Sequence, residues 1–261
     1  MATTTDRDAV IAWHARRHAL IADSIEPWGH GALVRASAYP SYYDYNLVRV
    51  EDAATGCSAA DLAAVAERHH GDLGHRRVRV NDEAAGERLR PEFAALGWRC
   101  RAIESLVLAG DPPPADGAVR VRRAPDAEAR PLREEWYREE PWMTTEDQTR
   151  AFLDAEEEVH AKLGGDVLLV DGEGPGGLGA YVGVLRAGDT GEIGEAYATP
   201  ALRGRGIGGA LVAAAARDLA ASGVRTIIIE ADTEGRARRL YRRLGFAHVW
   251  TFHDFTRLPG R

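Results

Sequence analysis

The chain has 261 residues, 45 % of them hydrophobic, and a net charge of -7. That length is more than one average domain needs, and the acidic balance argues against a protein that holds nucleic acid through its phosphates. Cys57 and Cys100 are too few for a disulfide framework. No apolar run reaches the roughly 20 residues of a membrane span, and the first eight residues lack a signal-peptide core, so a cytoplasmic protein is expected.

In chain order, Asn46–Val50 reads as a strand, Ser58–His70 as an amphipathic helix opened by a Ser cap, and His75–Val80 as an alternating strand. Ile103–Leu108 closes this part as a further strand. His69, His70 and His75 form no metal constellation, because no Cys or acidic partner recurs at ligand spacing. The polar, Pro-rich run Ala109–Gly117 reads as a linker, dividing residues 1–110 from 118–261.

Beyond it, Ala118–Arg122 alternates as a strand, Asp126 starts a helix with Leu132, Trp136 and Tyr137, and Thr145–Leu163 makes a second helix. Thr145 with Gln148 resembles a capping box, and Phe152, Leu153, Val159 and Leu163 supply the apolar positions. Asp166–Val170 and Gly179–Leu185 are strands joined by a Gly-rich turn, and Glu192–Ala198 is a third, ended by Thr199-Pro200. The acidic, aromatic stretch Glu134–Trp142 reads as a solvated face, with selection of a cationic amine as its functional alternative.

Arg203-Gly204-Arg205-Gly206-Ile207-Gly208-Gly209 is the most informative segment. Glycines opening an apolar helix present backbone N–H groups and a positive dipole end to phosphate oxygens. Gly204-x-Gly206-x-x-Gly209 fits a dinucleotide fingerprint, with Glu230 about 20 residues on as a ribose acid. Against this, a Rossmann turn needs a buried strand running straight into its first glycine. Here Pro200 ends the strand, Ala201-Leu202-Arg203 intervene, and too little chain follows for a doubly wound sheet. A mononucleotide P-loop would need Lys then Ser or Thr, where Ala210-Leu211 stand.

The helix after the loop stops at Gly223, Thr226–Ile229 reads as a buried strand, and Arg236–Leu244 is a helix with Ala237, Leu240, Tyr241 and Leu244 on one stripe. Phe246 to Phe255 alternates as one or two closing strands. Arg-x-x-Gly-x-Gly-Gly-Ala-Leu, a strand, then Ala-x-x-Leu-Tyr-x-x-Leu-Gly-Phe resembles the Gcn5-related N-acetyltransferase (GNAT) superfamily over Val119 to about Arg257. The expected fold is α/β (α+β), a mixed, mostly antiparallel sheet flanked by helices.

The resemblance implies acetyl-CoA as cosubstrate and no metal. Arg203, Gly204, Arg205, Gly206, Ile207, Gly208 and Gly209 would cradle the pyrophosphate, and the backbone of Ala196, Tyr197 and Ala198 would pair with the pantetheine. A β-bulge would splay this strand from the next. Tyr241 is the implied general acid for the departing thiol. Glu192, six residues before Ala198, is the implied general base, with Glu195 as competitor. Glu234 stands where the family often has a cofactor-contacting asparagine. The small Ala196 and Ala198 leave room for an acyl group larger than acetyl.

Pro91–Trp98 matches Tyr-x-x-Leu-Gly-Phe in shape, with Phe93 in place of the tyrosine, so the first half reads as a faded repeat without the loop. Tandem members such as mycothiol synthase pair a decayed first domain with an active second one, and two tandem GNAT-like domains are expected here. The implied acceptor is the amine of a small molecule or peptide, a homodimer is compatible with the sequence, and neither nucleic acid nor membrane is expected as a partner. A non-enzymatic acyl-CoA sensor is the alternative function.

Overall fold

The computed structural model describes residues 4–114, 117–140 and 145–258. Its elements are α1 (Thr4–Ile21), β1 (Ser24–Trp28), β2 (Gly31–Arg35), β3 (Leu47–Val50), α2 (Ala59–His70), β4 (Arg76–Val80), α3 (Glu83–Ala95) and β5 (Arg99–Leu108). Then come β6 (Arg122–Pro125), α4 (Arg130–Arg138), α5 (Glu146–Lys162), β7 (Asp166–Asp171), β8 (Leu178–Ala187) and β9 (Thr190–Ala198). The last are α6 (Ile207–Ala221), β10 (Thr226–Asp232), α7 (Ala237–Arg243) and β11 (Phe246–Arg257).

Two compact units are present, and they do not follow the boundaries expected at the Pro-rich run. The N-terminal unit comprises His14–Glu104, Asp232–Gly235 and Trp250–Arg261; the C-terminal unit comprises Met1–Trp13, Ser105–Ala231 and Arg236–Val249. The reason lies in the N-terminal sheet. It runs β1-β2-β3-β4-β11, with β3 and β4 parallel across α2 and the second part of β11 antiparallel to β4 from His253↔Val80 to Arg257↔Arg76. That strand covers the edge that β4 would otherwise expose, and it buries Phe255 against Phe93 at 4.2 Å between ring centroids. Gly86 on α3 faces the same strand. A Cβ there would fall 2.0 Å from His253 Nδ1.

In the C-terminal unit the order is β5-β10-β9-β8-β7-β6, antiparallel from β6 to β9 and parallel between β9 and β10, which α6 connects. Each unit thus has a mixed, mostly antiparallel sheet. One face of the C-terminal sheet packs Leu168, Val182, Val184, Ile193, Ile227 and Ile229 against Leu211, Ala215 and Leu219 of α6. The other packs Leu169, Tyr181 and Tyr197 against Leu132 of α4.

Several expected elements shift. Only Arg122 of Ala118–Arg122 lies in a strand, because the ladder to β7 spans Arg122–Pro125; Val119 and Val121 pack against the core without pairing. Asp126–Ala129 is a 3-10 turn before α4. Within the Pro-rich run, Arg217 donates to the Pro113 carbonyl at 2.8 Å, while Ala115 and Asp116 lie outside the described residues. The helix α1 and the hairpin β1–β2 have no counterpart in the sequence reading. The closing segment is one strand, β11.

Candidate functional site

The site is built around β9. Tyr181↔Tyr197 and Gly183↔Gly194 are paired across β8 and β9, so Val182 alone opposes Glu195 and Ala196, which is a β-bulge. Glu195 sits in it with φ 49°, a left-handed conformation that a non-glycine residue adopts only when its surroundings impose it. The ladder to β10 ends at Ile193↔Ile229, although both strands run on. The two therefore part where the bulge lies.

Backbone direction follows. Thr199 N–H donates to the Gly179 carbonyl at 2.9 Å, and neighbouring strand residues turn their polar groups to opposite sides. Ala198 therefore aims its N–H and carbonyl away from β8, toward the opening. Its carbonyl accepts from Arg203 Nε at 3.0 Å. Arg203 also pairs with Glu139 at 3.3 Å and lies over the Tyr197 ring at 5.4 Å.

The loop reaches α6 through two left-handed glycines, Gly204 (φ 76°) and Gly206 (φ 80°). No side chain caps Gly206. The first helix hydrogen bond is Ala210 N–H to Gly206, so Ile207, Gly208 and Gly209 have N–H groups with no partner inside the helix. A Cβ on Gly204, Gly206 or Gly208 would meet nothing within 4 Å, so the cradle opens to bulky groups; Arg205 is exposed on it. These features fit a pyrophosphate held by Arg203 to Gly209.

Glu192 and Glu195 share one face of β9. Ile193 and its partner Val184 face α6, so Glu192 faces the opposite side, and the bulge restores Glu195 and Tyr197 to that side. Glu192 is 8 % exposed and accepts from Trp13 Nε1 at 2.6 Å. Ala196 is exposed and Ala198 half-buried. Tyr241, on α7, is buried with its ring 6.4 Å from that of Phe246. Burial raises the pKa of its phenol, and no hydrogen bond engages its hydroxyl among the described residues.

Glu195 has a different setting. Arg133 lies 3.1 Å and His160 Nε2 3.1 Å from it, and Asp126 completes the group by accepting from Arg133 at 2.7 Å and from His160 Nδ1 at 3.1 Å. Arg133 is fully buried. Burial would raise the Glu195 carboxyl, but His160 and Arg133 overcome it and hold the pKa well below the ordinary carboxylate range. Burial and the charge of Glu195 push Glu156 well above that range, and Tyr137 donates to it at 2.5 Å. Burial would lower His160, yet Glu195 and Asp126 raise it to about 10. A carboxylate so stabilised is a weak base.

Glu156, His160 and Glu195 are also the group whose ligand atoms lie near enough to hold a metal ion. The Arg133 guanidinium, 3.4 Å from Glu156 and 3.1 Å from Glu195, already supplies positive charge there, and both ring nitrogens of His160 meet carboxylates. The donor set therefore suits a guanidinium better than an ion. In the sequence, Glu156 and His160 lie one turn apart on the same stripe as Phe152 and Leu163; two polar residues on a buried stripe were the readable signal.

The sign of these shifts fixes a pH dependence. His160 binds its proton more tightly folded, so its contribution is complete below about pH 6.5 and is lost toward about pH 10. Raised Glu156 acts in the same direction above the ordinary carboxylate range, while lowered Glu195 loses its contribution only as acid protonates it. Urea unfolding should give a higher midpoint at about pH 6 than at about pH 9.5, and His160→Gln should flatten that difference. Equal slopes for both proteins would remove His160 as its source.

Glu234 belongs to the N-terminal unit, where Arg90 donates to it at 2.5 Å. Of the acidic, aromatic stretch, Pro141 and Trp142 lie outside the described residues. Glu134 shares a cavity of about 440 Å³ with Arg130, Arg138, Glu146 and Arg150, a mixed lining that does not select cations. Glu135 accepts from Tyr197 at 2.8 Å, which raises that phenol to about 12 after burial, the larger cause. Among the described residues no helix is long and apolar enough to cross a membrane.

A bulged strand thus parts from its parallel neighbour beside an uncapped, glycine-opened helix. Comparison with known proteins shows which fold has this arrangement. Residues 123–246 match the Acetyltransferase (GNAT) family, whose general activity is acetyl-CoA-dependent acyl transfer. A functionally unknown conserved protein from Staphylococcus epidermidis is 13 % identical with a TM-score of 0.65, covering 92 % of this chain and 95 % of its own. A GCN5-related N-acetyltransferase from Kribbella flavida is 15 % identical with a TM-score of 0.60, covering 97 % and 96 %. A tandem GNAT protein from the clavulanic acid biosynthesis pathway is 14 % identical with a TM-score of 0.52, covering 90 % and 82 %. No curated protein sequence matches the chain. The chain has the GNAT acetyltransferase fold.

Proposed function

We propose that the protein is an N-acyltransferase of tandem GNAT architecture, in which the C-terminal unit moves an acetyl or small acyl group from acyl-CoA to the amine of a small molecule or peptide. The parting of β9 from β10 beside the uncapped start of α6 carries this reading. The likeness of 90 % of this chain to a tandem GNAT protein supports the architecture.

The donor supplies a thioester carbonyl; the amine nitrogen bonds to its carbon as the carbon–sulfur bond breaks. Backbone N–H groups of Arg203 to Gly209 bind the pyrophosphate, and Ala196, Tyr197 and Ala198 present strand backbone to the pantetheine. The Ala198 N–H offers a donor to the oxygen on which charge develops. Glu192 takes the amine proton. Tyr241 gives its hydroxyl proton to the departing sulfur. Glu195 holds the bulge instead of serving as base, since Arg133 and His160 already engage its oxygens.

The N-terminal unit reads as a decayed, non-catalytic copy. Its β3-α2-β4-α3 order repeats β9-α6-β10-α7, but α2 is self-capped: Ser58 and Asp61 form a capping box, and Ala59 N–H donates to Glu92 at 2.8 Å. Those contacts occupy N–H groups of Ala59 and Asp61 and set the carboxylates of Asp61 and Glu92 where a phosphate would sit, and Phe93 has no proton to give.

Thiol release from acetyl-CoA should appear with at least one member of a panel of polyamines, amino acids, aminoglycosides and peptide N-termini. CoA binding without release for any of them would favour an acyl-CoA sensor, and absence of binding would overturn both readings. Tyr241→Phe should lower kcat by about 10²-fold, the low end for a general acid because a thiol of pKa about 8.5 leaves readily. Unchanged kcat with intact CoA binding would remove the acid role.

A further inference from the structure

We infer that Trp13 is a positioning residue for Glu192, a site component contributed by the first helix of the chain. This rests on the reading of Glu192 as base. The contact spans 179 positions of sequence: Trp13 is 2 % exposed, and its Nε1 stands 2.6 Å from Glu192 Oε2. An indole nitrogen can only donate, so the oxygen it meets must present a lone pair. A neutral donor fixes the rotamer of the carboxylate without adding a cation to compete for its basicity.

The orientation of the indole supports a role beyond packing. The first half of α1, through Trp13, groups with the C-terminal unit that holds Glu192. Apolar burial of that segment would require only ring area, which Trp13 provides equally if its nitrogen meets a carbonyl. Trp250 does so, donating to the Asn81 backbone at 2.9 Å. Trp13 instead directs its one polar atom at the carboxylate that shares a sheet face with Glu195 and Tyr197. On that same face Glu195 is engaged by Arg133 and His160. Glu195 is thus held by cations, whereas the indole contributes a neutral donor to Glu192.

The test is a four-protein cycle of the full chain: unaltered, Trp13→Phe, Glu192→Gln and the double variant, assayed for thiol release with the best acceptor of the amine panel. Trp13→Phe keeps a ring and removes the donor. It should lower kcat about tenfold or more, as misplacement of a reacting group by less than an ångström can, with KM for acetyl-CoA unchanged. In the Glu192→Gln background it should cost nothing further. Equal losses in both backgrounds would make Trp13 a packing residue and overturn the inference while leaving the acyltransferase reading in place. Absence of turnover in the unaltered chain would overturn both. Independently of activity, the indole N–H resonance assigned by its loss in Trp13→Phe should move in Glu192→Gln; a resonance that stays in place would refute the bond.

Discussion

Glu192→Gln is expected to lower kcat/KM by about 10²–10⁴-fold, the range typical of a lost general base, with CoA affinity unchanged. Glutamine keeps the size of the side chain at a position 8 % exposed, so the strand and the contact with Trp13 need little adjustment. Only the capacity to take a proton is removed. Glu195→Gln is the control that separates the two acids. It breaks charge pairs to Arg133 and His160, so its main effect should fall on stability and on the bulge, with slower turnover following from those. A Glu192→Gln enzyme with unchanged kcat/KM would eliminate this residue as base. Loss confined to Glu195→Gln would transfer the role despite its lowered pKa.

Arg133→Met should have the largest effect on stability. Arg133 is fully buried and serves Asp126 and Glu195 at once. Removing one partner of a buried pair typically costs about 3–5 kcal/mol, because the remaining charge stays out of water without compensation. The loss should appear as a lower urea midpoint, and Asp126→Asn added to Arg133→Met should recover part of it by deleting one orphaned charge. A change under about 0.5 kcal/mol would show the ion group to be dispensable. The same substitution tests the backbone. Glu195 sits at φ 49°, which costs about 1–3 kcal/mol for a non-glycine residue and persists only if neighbours impose it. Should Arg133 and His160 impose it, Arg133→Met will also weaken CoA binding by letting the bulge relax.

The expected bulge in β9 is present, and without it strand alternation would put Glu192 and Glu195, three residues apart, on opposite faces. The extra residue reverses that parity and brings both to one face, and only the register with β8 reveals it. The helix-opening loop was legible because its signal is local: glycines at φ 76° and 80° and a missing cap are properties of seven consecutive residues. Thr145 and Ser58 caps were legible for the same reason. Trp13 was not, since nothing within a helical stripe specifies which strand its nitrogen will meet 179 positions later.

By itself the sequence determined the order of strands and helices from Asn46 onward, the loop at Arg203 to Gly209 and the succession of that loop by the helix of Tyr241, because each depends on periodicity, capping and turn chemistry within a short window. The tertiary structure decided which residues make up each unit, how Glu195 is committed and what holds Glu192. The physical reason is that strand edges and buried charges are satisfied by whatever complementary group the fold brings near. For β4 that group is the end of β11, for Glu195 it is Arg133 and His160, and for Glu192 it includes a tryptophan from the first helix.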